Sequence, residues 1–143
     1  MDLLAMNQVL DTNVRGLIYC TQAAFKSMKE REFAGHIVHI NSIHGHRVPD
    51  WSESTNIYTP TKFAVTAINE VIRQELNNLG TKIKTTSVSP GVVRTELAPD
   101  EVFDQIGCCL NPEDVSQAVL FAISTPPHVQ IHEIIVKPVG EKL

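Results

Sequence analysis

Three short apolar runs, each set behind a longer segment of helical period, constrain this chain more than any other feature. The runs are His36-Ile-Val-His-Ile40, Ile83 to Val88, and Ile131 to Val136, the last interrupted only by His132 and Glu133. Runs of this length and character suit strands buried on both faces. Before the first, Leu10, Val14, Leu17, Ile18, Phe25 and Met28 recur at helical spacing across residues 7–30, with Asn7 as the expected N-cap. Before the second, Ala64, Ala67, Ile68, Val71, Ile72 and Leu76 mark a helix over 58–79, which Gly80 closes. Before the third, Asn111-Pro112-Glu113-Asp114 is a helix start with N-cap, proline at the first position and acids at the positive end of the dipole. Pro126-Pro127 ends that helix. Strict helix–strand alternation predicts an α/β layer protein with a parallel sheet and helices on both faces.

At 143 residues the chain is long enough for one domain with a core. It is 43% hydrophobic and 20% charged, with net charge −4 and no basic run, which argues against nucleic acid or an anionic membrane as partner. No stretch reaches transmembrane length, and the first residues lack the charged and apolar regions of a signal peptide. Cys20, Cys108 and Cys109 are odd in number and lack metal spacing, so free thiols and a cytoplasmic location are expected. His44 and His46 invite a metal reading, but no acid or cysteine completes a ligand set, and no metal is expected. Residues 42–57, with Gly45, Pro49 and Trp51, read as a polar loop, and 94–110 as irregular with short helical pieces.

In a parallel sheet, ligands gather at the carboxyl ends of the strands. Ser42 follows the first strand and Pro90-Gly91 follows the second. Tyr58 and Lys62 stand four apart at the start of the second helix, so both side chains leave one face. An ammonium beside a phenol favours the phenolate, which gives a proton donor and acceptor for an alcohol or ketone. Taken singly, Ser42 ends a strand, Asn13 is polar on a helix face and Pro90-Gly91 is a turn. Their order and spacing carry the reading.

With Asn13-Val-Arg-Gly16, Ile40-Asn-Ser-Ile-His-Gly45, Tyr58-Thr-Pro-Thr-Lys62 and Ser89-Pro-Gly-Val-Val-Arg-Thr95 in hand, the chain resembles the short-chain dehydrogenase/reductase family. Leu110-Asn-Pro-Glu-Asp114 and Ser124-Thr-Pro-Pro-His-Val-Gln-Ile131 narrow this to its farnesol dehydrogenase-like members. The resemblance implies a Rossmann-like sheet and NADP-dependent (or NAD-dependent) interconversion of isoprenoid, retinoid or steroid alcohols with their carbonyls. It implies Tyr58 as general acid/base, Lys62 as its partner and a ribose ligand, and Ser42 as donor to the substrate oxygen. It implies Asn13 as holder of a relay water, and Pro90, Gly91, Val93 and Thr95 as contacts of the nicotinamide end. Residues from Glu96 to Leu110 align with the region that covers substrate in that family.

The family's glycine-rich turn between first strand and first helix finds no match among the seven glycines. Residues 1–143 therefore read as the C-terminal catalytic part of one such domain, truncated ahead of its cofactor-binding half. An incomplete gene model or a truncated isoform is the simplest account. The first strand should then present an unpaired edge, and the chain alone should fold poorly or with a partner. Homo-oligomer contacts through 7–30 and 58–79 follow from the resemblance. So does an alternative function, a non-catalytic isoform that pairs with an intact subunit and modulates it.

Overall fold

A computed structural model describes residues 2–49, 56–97 and 100–142. Helix α1 (Leu3–Leu10) runs through a π-helical segment, Asp11–Gly16, into α2 (Leu17–Glu30). Strand β1 (His36–Ile40), a 3-10 turn (Ile43–Gly45), α3 (Tyr58–Asn78) and β2 (Lys84–Pro90) follow. Then come α4 (Asp100–Ile106), α5 (Pro112–Ile123) and β3 (Glu133–Val136). The sheet order is β1-β2-β3 and both pairings are parallel, with Ile37 opposite Thr85 and Val88 opposite Ile134. This is the Rossmann-like α/β arrangement that the alternation predicts.

Local chemistry sets most boundaries. The first helix starts earlier than the expected Asn7 cap, because the Asp2 carboxylate accepts from the Leu4 N–H at 3.0 Å. Asn7 lies inside α1. Gly80 ends α3 with φ +67°, a conformation that glycine adopts without strain. At α5 the Asn111 side chain accepts from the Asp114 N–H while the Asp114 carboxylate accepts from the Asn111 N–H at 2.8 Å, a reciprocal capping box. The expected strands shift by one or two residues: β2 runs on to Pro90, and β3 begins at Glu133. The expected loop over 42–57 includes the 3-10 turn, and its Trp51 lies outside the described residues.

Helices α2 and α3 cover one face of the sheet. Ile37, Leu76 and Ile83 form the apolar core there, backed by Ala24, Phe25, Met28 and Ile72. Beside it lies a buried polar chain. His39 bridges the Thr21 hydroxyl (2.9 Å at Nε2) and the Asn69 side-chain amide (2.9 Å at Nδ1), and the Thr85 hydroxyl donates to Asn69 Oδ1 at 2.8 Å. Helix α5 lies over β2 and β3, with Ala122 fully buried. Strand β1 is paired on one side only, as the sequence leads one to expect, and Ile40 at its end is 49% exposed. Along that free edge runs a groove lined by Thr12, Asn13, Gly16, Leu17, Cys20 and Lys62 with β1 itself. Among the described residues no helix is long and apolar enough to cross a membrane.

Burial holds the His39 pKa below its ordinary value against the opposing Asn69 hydrogen bond, and burial plus the Lys84 charge does the same at His36. Both rings bind protons more readily in the unfolded chain, so their contribution is complete above the ordinary histidine value. It is lost as pH falls below about 6.5 toward the depressed folded values. Urea melts between about pH 7.5 and about pH 5.5 should show stability dropping on acidification. A flat or rising profile contradicts this.

Candidate active site

The carboxyl ends of β1 and β2 and the first turn of α3 meet on one rim. Ser42 leaves β1 in extended conformation and caps the 3-10 turn, its Oγ accepting from the His44 N–H at 3.1 Å. Asn56 enters α3 from a left-handed conformation, φ +52°, which asparagine tolerates better than most residues. The turn aims Tyr58 and Lys62 from the first helical turns toward the end of β1. The Lys62 ammonium donates to the Ile40 carbonyl at 3.2 Å and lies 5.6 Å from the Tyr58 ring centroid.

The electrostatics differ from the sequence expectation in one respect. Burial pushes the Tyr58 phenol above its ordinary pKa, and the hydrogen bond with Ser42 pulls the other way. The Lys62 ammonium over the ring does not outweigh burial. Its own pKa is lowered by burial, and it spends one donor on the Ile40 carbonyl. Ser42 is thus the group coupled to the phenol, with Lys62 over the ring.

Asn13 falls in the π-helical segment, a local widening of the kind often found at functional positions. Its Nδ2 donates to Thr61 Oγ1 at 3.1 Å, and that hydroxyl donates to the Tyr58 carbonyl at 2.6 Å. Asn13 therefore reaches the residue beside Lys62, and both line the groove along β1. Ser42, Tyr58, Lys62 and Asn13 come together as one group.

Pro90, Gly91, Val93 and Thr95 form a second group. The Gly91 N–H donates to the Val136 carbonyl at 2.7 Å. Val93 forms a parallel bridge with Leu110, whose N–H donates to the Val92 carbonyl at 2.8 Å. Thr95 is exposed, and its hydroxyl accepts from the Leu97 N–H at 3.3 Å. The two groups are joined by His46, whose Nε2 lies 3.0 Å from Ser89 Oγ and 2.9 Å from Glu133 Oε1. The Ser89 hydroxyl also donates to Glu133 at 3.1 Å. Serine, histidine and carboxylate here are no hydrolytic triad. Ser89 is fully buried, and serine and glutamate meet the same ring nitrogen. The trio ties the turn after β1 to β2 and β3.

Sequence reasoning missed these contacts, since His44 and His46 were weighed only as metal ligands. Among the described residues no three His, Cys, Asp or Glu side chains assemble into a metal-binding group. It also missed Glu141, whose carboxylate sits where a side chain on Gly91 would go. Burial raises the Glu141 pKa, with Lys137 and the Val92 backbone opposing, and neither of its oxygens makes a well-formed hydrogen bond among the described residues.

A phenol, an ammonium, a hydroxyl and an amide thus gather at the carboxyl rim of the parallel sheet. A family model described as short chain dehydrogenase matches residues 1–105. The chain is 56% identical over 137 residues to farnesol dehydrogenase of Aedes aegypti, covering 96% of this chain and 56% of that protein. It is 45% identical over 141 residues to dehydrogenase/reductase SDR family member 11 of Homo sapiens, covering 91% of this chain and 54% of that one. The closed form of serine dehydrogenase complexed with NADP+ superposes with a TM-score of 0.80 at 29% identity, over 95% of this chain and 56% of that one. The chain belongs to the short-chain dehydrogenase family. It spans about half the length of the relatives it matches.

Gly91→Ala should displace Glu141, because the new methyl and the carboxylate compete for one space. The substitution should cost about 1 kcal/mol less in a Glu141→Ala background than alone, a coupling that denaturant melts of the four variants measure. Equal costs in both backgrounds contradict the contact.

Proposed function

We propose that this chain carries the proton-transfer site of an NADP-dependent oxidoreductase that interconverts a hydrophobic alcohol with its ketone or aldehyde. The observation that carries the reading is the gathering of Ser42, Tyr58 and Lys62 on one rim, where Ser42 draws the phenol pKa down against burial and the ammonium lies 5.6 Å from the ring centroid. In this reading Tyr58 passes a proton to or from the substrate oxygen. Ser42 donates to the same oxygen as charge develops on it. Lys62 steadies the phenolate when it forms, and Asn13 holds the helical turn that carries Lys62 in place through Thr61.

A nicotinamide dinucleotide, when bound, would accept the hydride from the alcohol carbon or, in its reduced form, return it to the carbonyl. The residues that would hold its nicotinamide end are Tyr58, Lys62, Pro90, Gly91, Val93 and Thr95. Gly91 fits the role in one respect, since its backbone has no side chain of its own over it and only the end of the flexible Glu141 covers it. The serine dehydrogenase relative complexed with NADP+ favours NADP, and NAD is the alternative. Similarity to the Aedes aegypti farnesol dehydrogenase favours an isoprenoid alcohol, with retinoids and steroids as further substrates of the same polarity.

A second reading, a non-catalytic isoform that modulates an intact subunit, draws on exposed apolar side chains. On the two helices expected to make oligomer contacts these are Tyr19, Phe63, Val71 and Leu79. Turnover separates the readings. Assayed with NADP and a farnesol-type alcohol, Tyr58→Phe should lose about 10²-fold or more in kcat, with dinucleotide binding retained. A Tyr58→Phe variant as active as the unaltered chain removes Tyr58 from the chemistry and overturns the oxidoreductase reading.

A further inference from the structure

We propose that His44 is a positioning residue that staples the turn bearing Ser42 to the helix bearing Tyr58. The inference rests on reading those two residues as the proton-transfer pair. Ser42 and Tyr58 come from different elements, sixteen positions apart, so contacts between those two elements bear on their separation. His44 provides them. It sits on the 3-10 turn two residues after Ser42, and its Nδ1 lies 2.9 Å from Thr59 Oγ1. Thr59 directly follows Tyr58, in the first turn of α3.

The same imidazole meets the Tyr58 ring edge-on, with centroids 5.5 Å apart and planes at 69°. That is a favoured arrangement for aromatic pairs, and it limits the tilt of the phenol. His44 and Thr59 are both buried, at 8% and 2% exposure, so their hydrogen bond forms out of competition with water. Burial and the Lys62 charge hold the His44 pKa down, which keeps the ring neutral beside Lys62 at pH 7. A neutral ring adds no second cation beside the phenol. Any residue at position 44 could donate its backbone N–H to Ser42, so only the imidazole makes this position distinctive.

The chain has two tyrosines, Tyr19 and Tyr58, so tyrosine labelled with carbon-13 at Cζ gives two resonances. The pH titration of each is followed by NMR in the full chain without cofactor or substrate. Burial is the larger influence on Tyr58, so unstapling the ring admits water and moves its midpoint down toward the ordinary tyrosine value. His44→Ala and Thr59→Val should each lower the Tyr58 midpoint and leave Tyr19 unchanged. The double variant should show no further fall, since both changes remove one bond. His44→Asn, which offers a polar atom near the place of Nδ1 but no ring, should restore the midpoint in part.

A Tyr58 midpoint that fails to fall overturns the proposal, as does a double variant whose fall is the sum of the two. If His44→Ala does not fold, the near-isosteric Thr59→Val decides alone. The titration needs no turnover. A chain that shows the staple yet processes no alcohol refutes the oxidoreductase reading and leaves the contact standing.

Discussion

Strand β2 carries hydroxyl side chains into the middle of the sheet, and the placement of nearly everything else depends on how they are answered. Thr85, Thr86, Ser87 and Ser89 are each no more than 2% exposed. A buried hydroxyl without a partner is costly, and three of the four take partners from other elements. Thr85 takes Asn69 and thereby seats α3. Thr86 takes His36 of β1 and the Ile131 carbonyl ahead of β3. Ser89 takes Glu133 and His46 and so ties β3 to the turn that carries Ser42. Ser87 Oγ has no partner among the described residues, and the structure offers no account of it. An apolar β2 would pack as well, but it would not specify these registers.

The site inherits its geometry from that arrangement. Seating α3 through Asn69 sets the height of its first turn, and the first turn sets Tyr58 and Lys62. Both are half-buried, and burial opposes the charged form of each, raising one pKa and lowering the other. Burial therefore favours the neutral phenol and the neutral amine side by side, with Ser42 opposing it at the phenol. The groove beside them follows the unpaired edge of β1, where main-chain groups and Ile40 are open to a further element or a ligand.

Much of this was legible in the sequence, and the parts that were not share a physical cause. Period and caps located the three long helices and three strands, because amphipathic spacing and Gly80, Asn111 and Pro112 act locally. Ser42, Tyr58 and Lys62 were legible because the rim rule for parallel sheets puts strand ends and helix starts together, whereas Asn13 came only from the family resemblance. The π-helical widening at Asn13 was hidden, since it is a change in hydrogen-bond pattern with no signature in apolar spacing. Helix α4 is one of the short helical pieces expected in 94–110, although no clear period gave its bounds. Most of the rest depends on contacts between residues far apart in sequence. His44 meets Thr59, His46 meets Ser89 and Glu133, and Glu141 rests on Gly91. The source of the Tyr58 pKa was misjudged for the same reason. Spacing shows that Lys62 is near, but only the fold shows that burial and Ser42 decide the direction.

The proposed function requires that the rim residues hold the nicotinamide end of a dinucleotide. Calorimetric titration of the chain with NADPH, on material that first shows a cooperative unfolding transition, tests it most directly. The account predicts saturable binding with a dissociation constant on the order of micromolar, about −8 kcal/mol. A chain that unfolds cooperatively yet gives no binding heat with NADPH or NADH would contradict it.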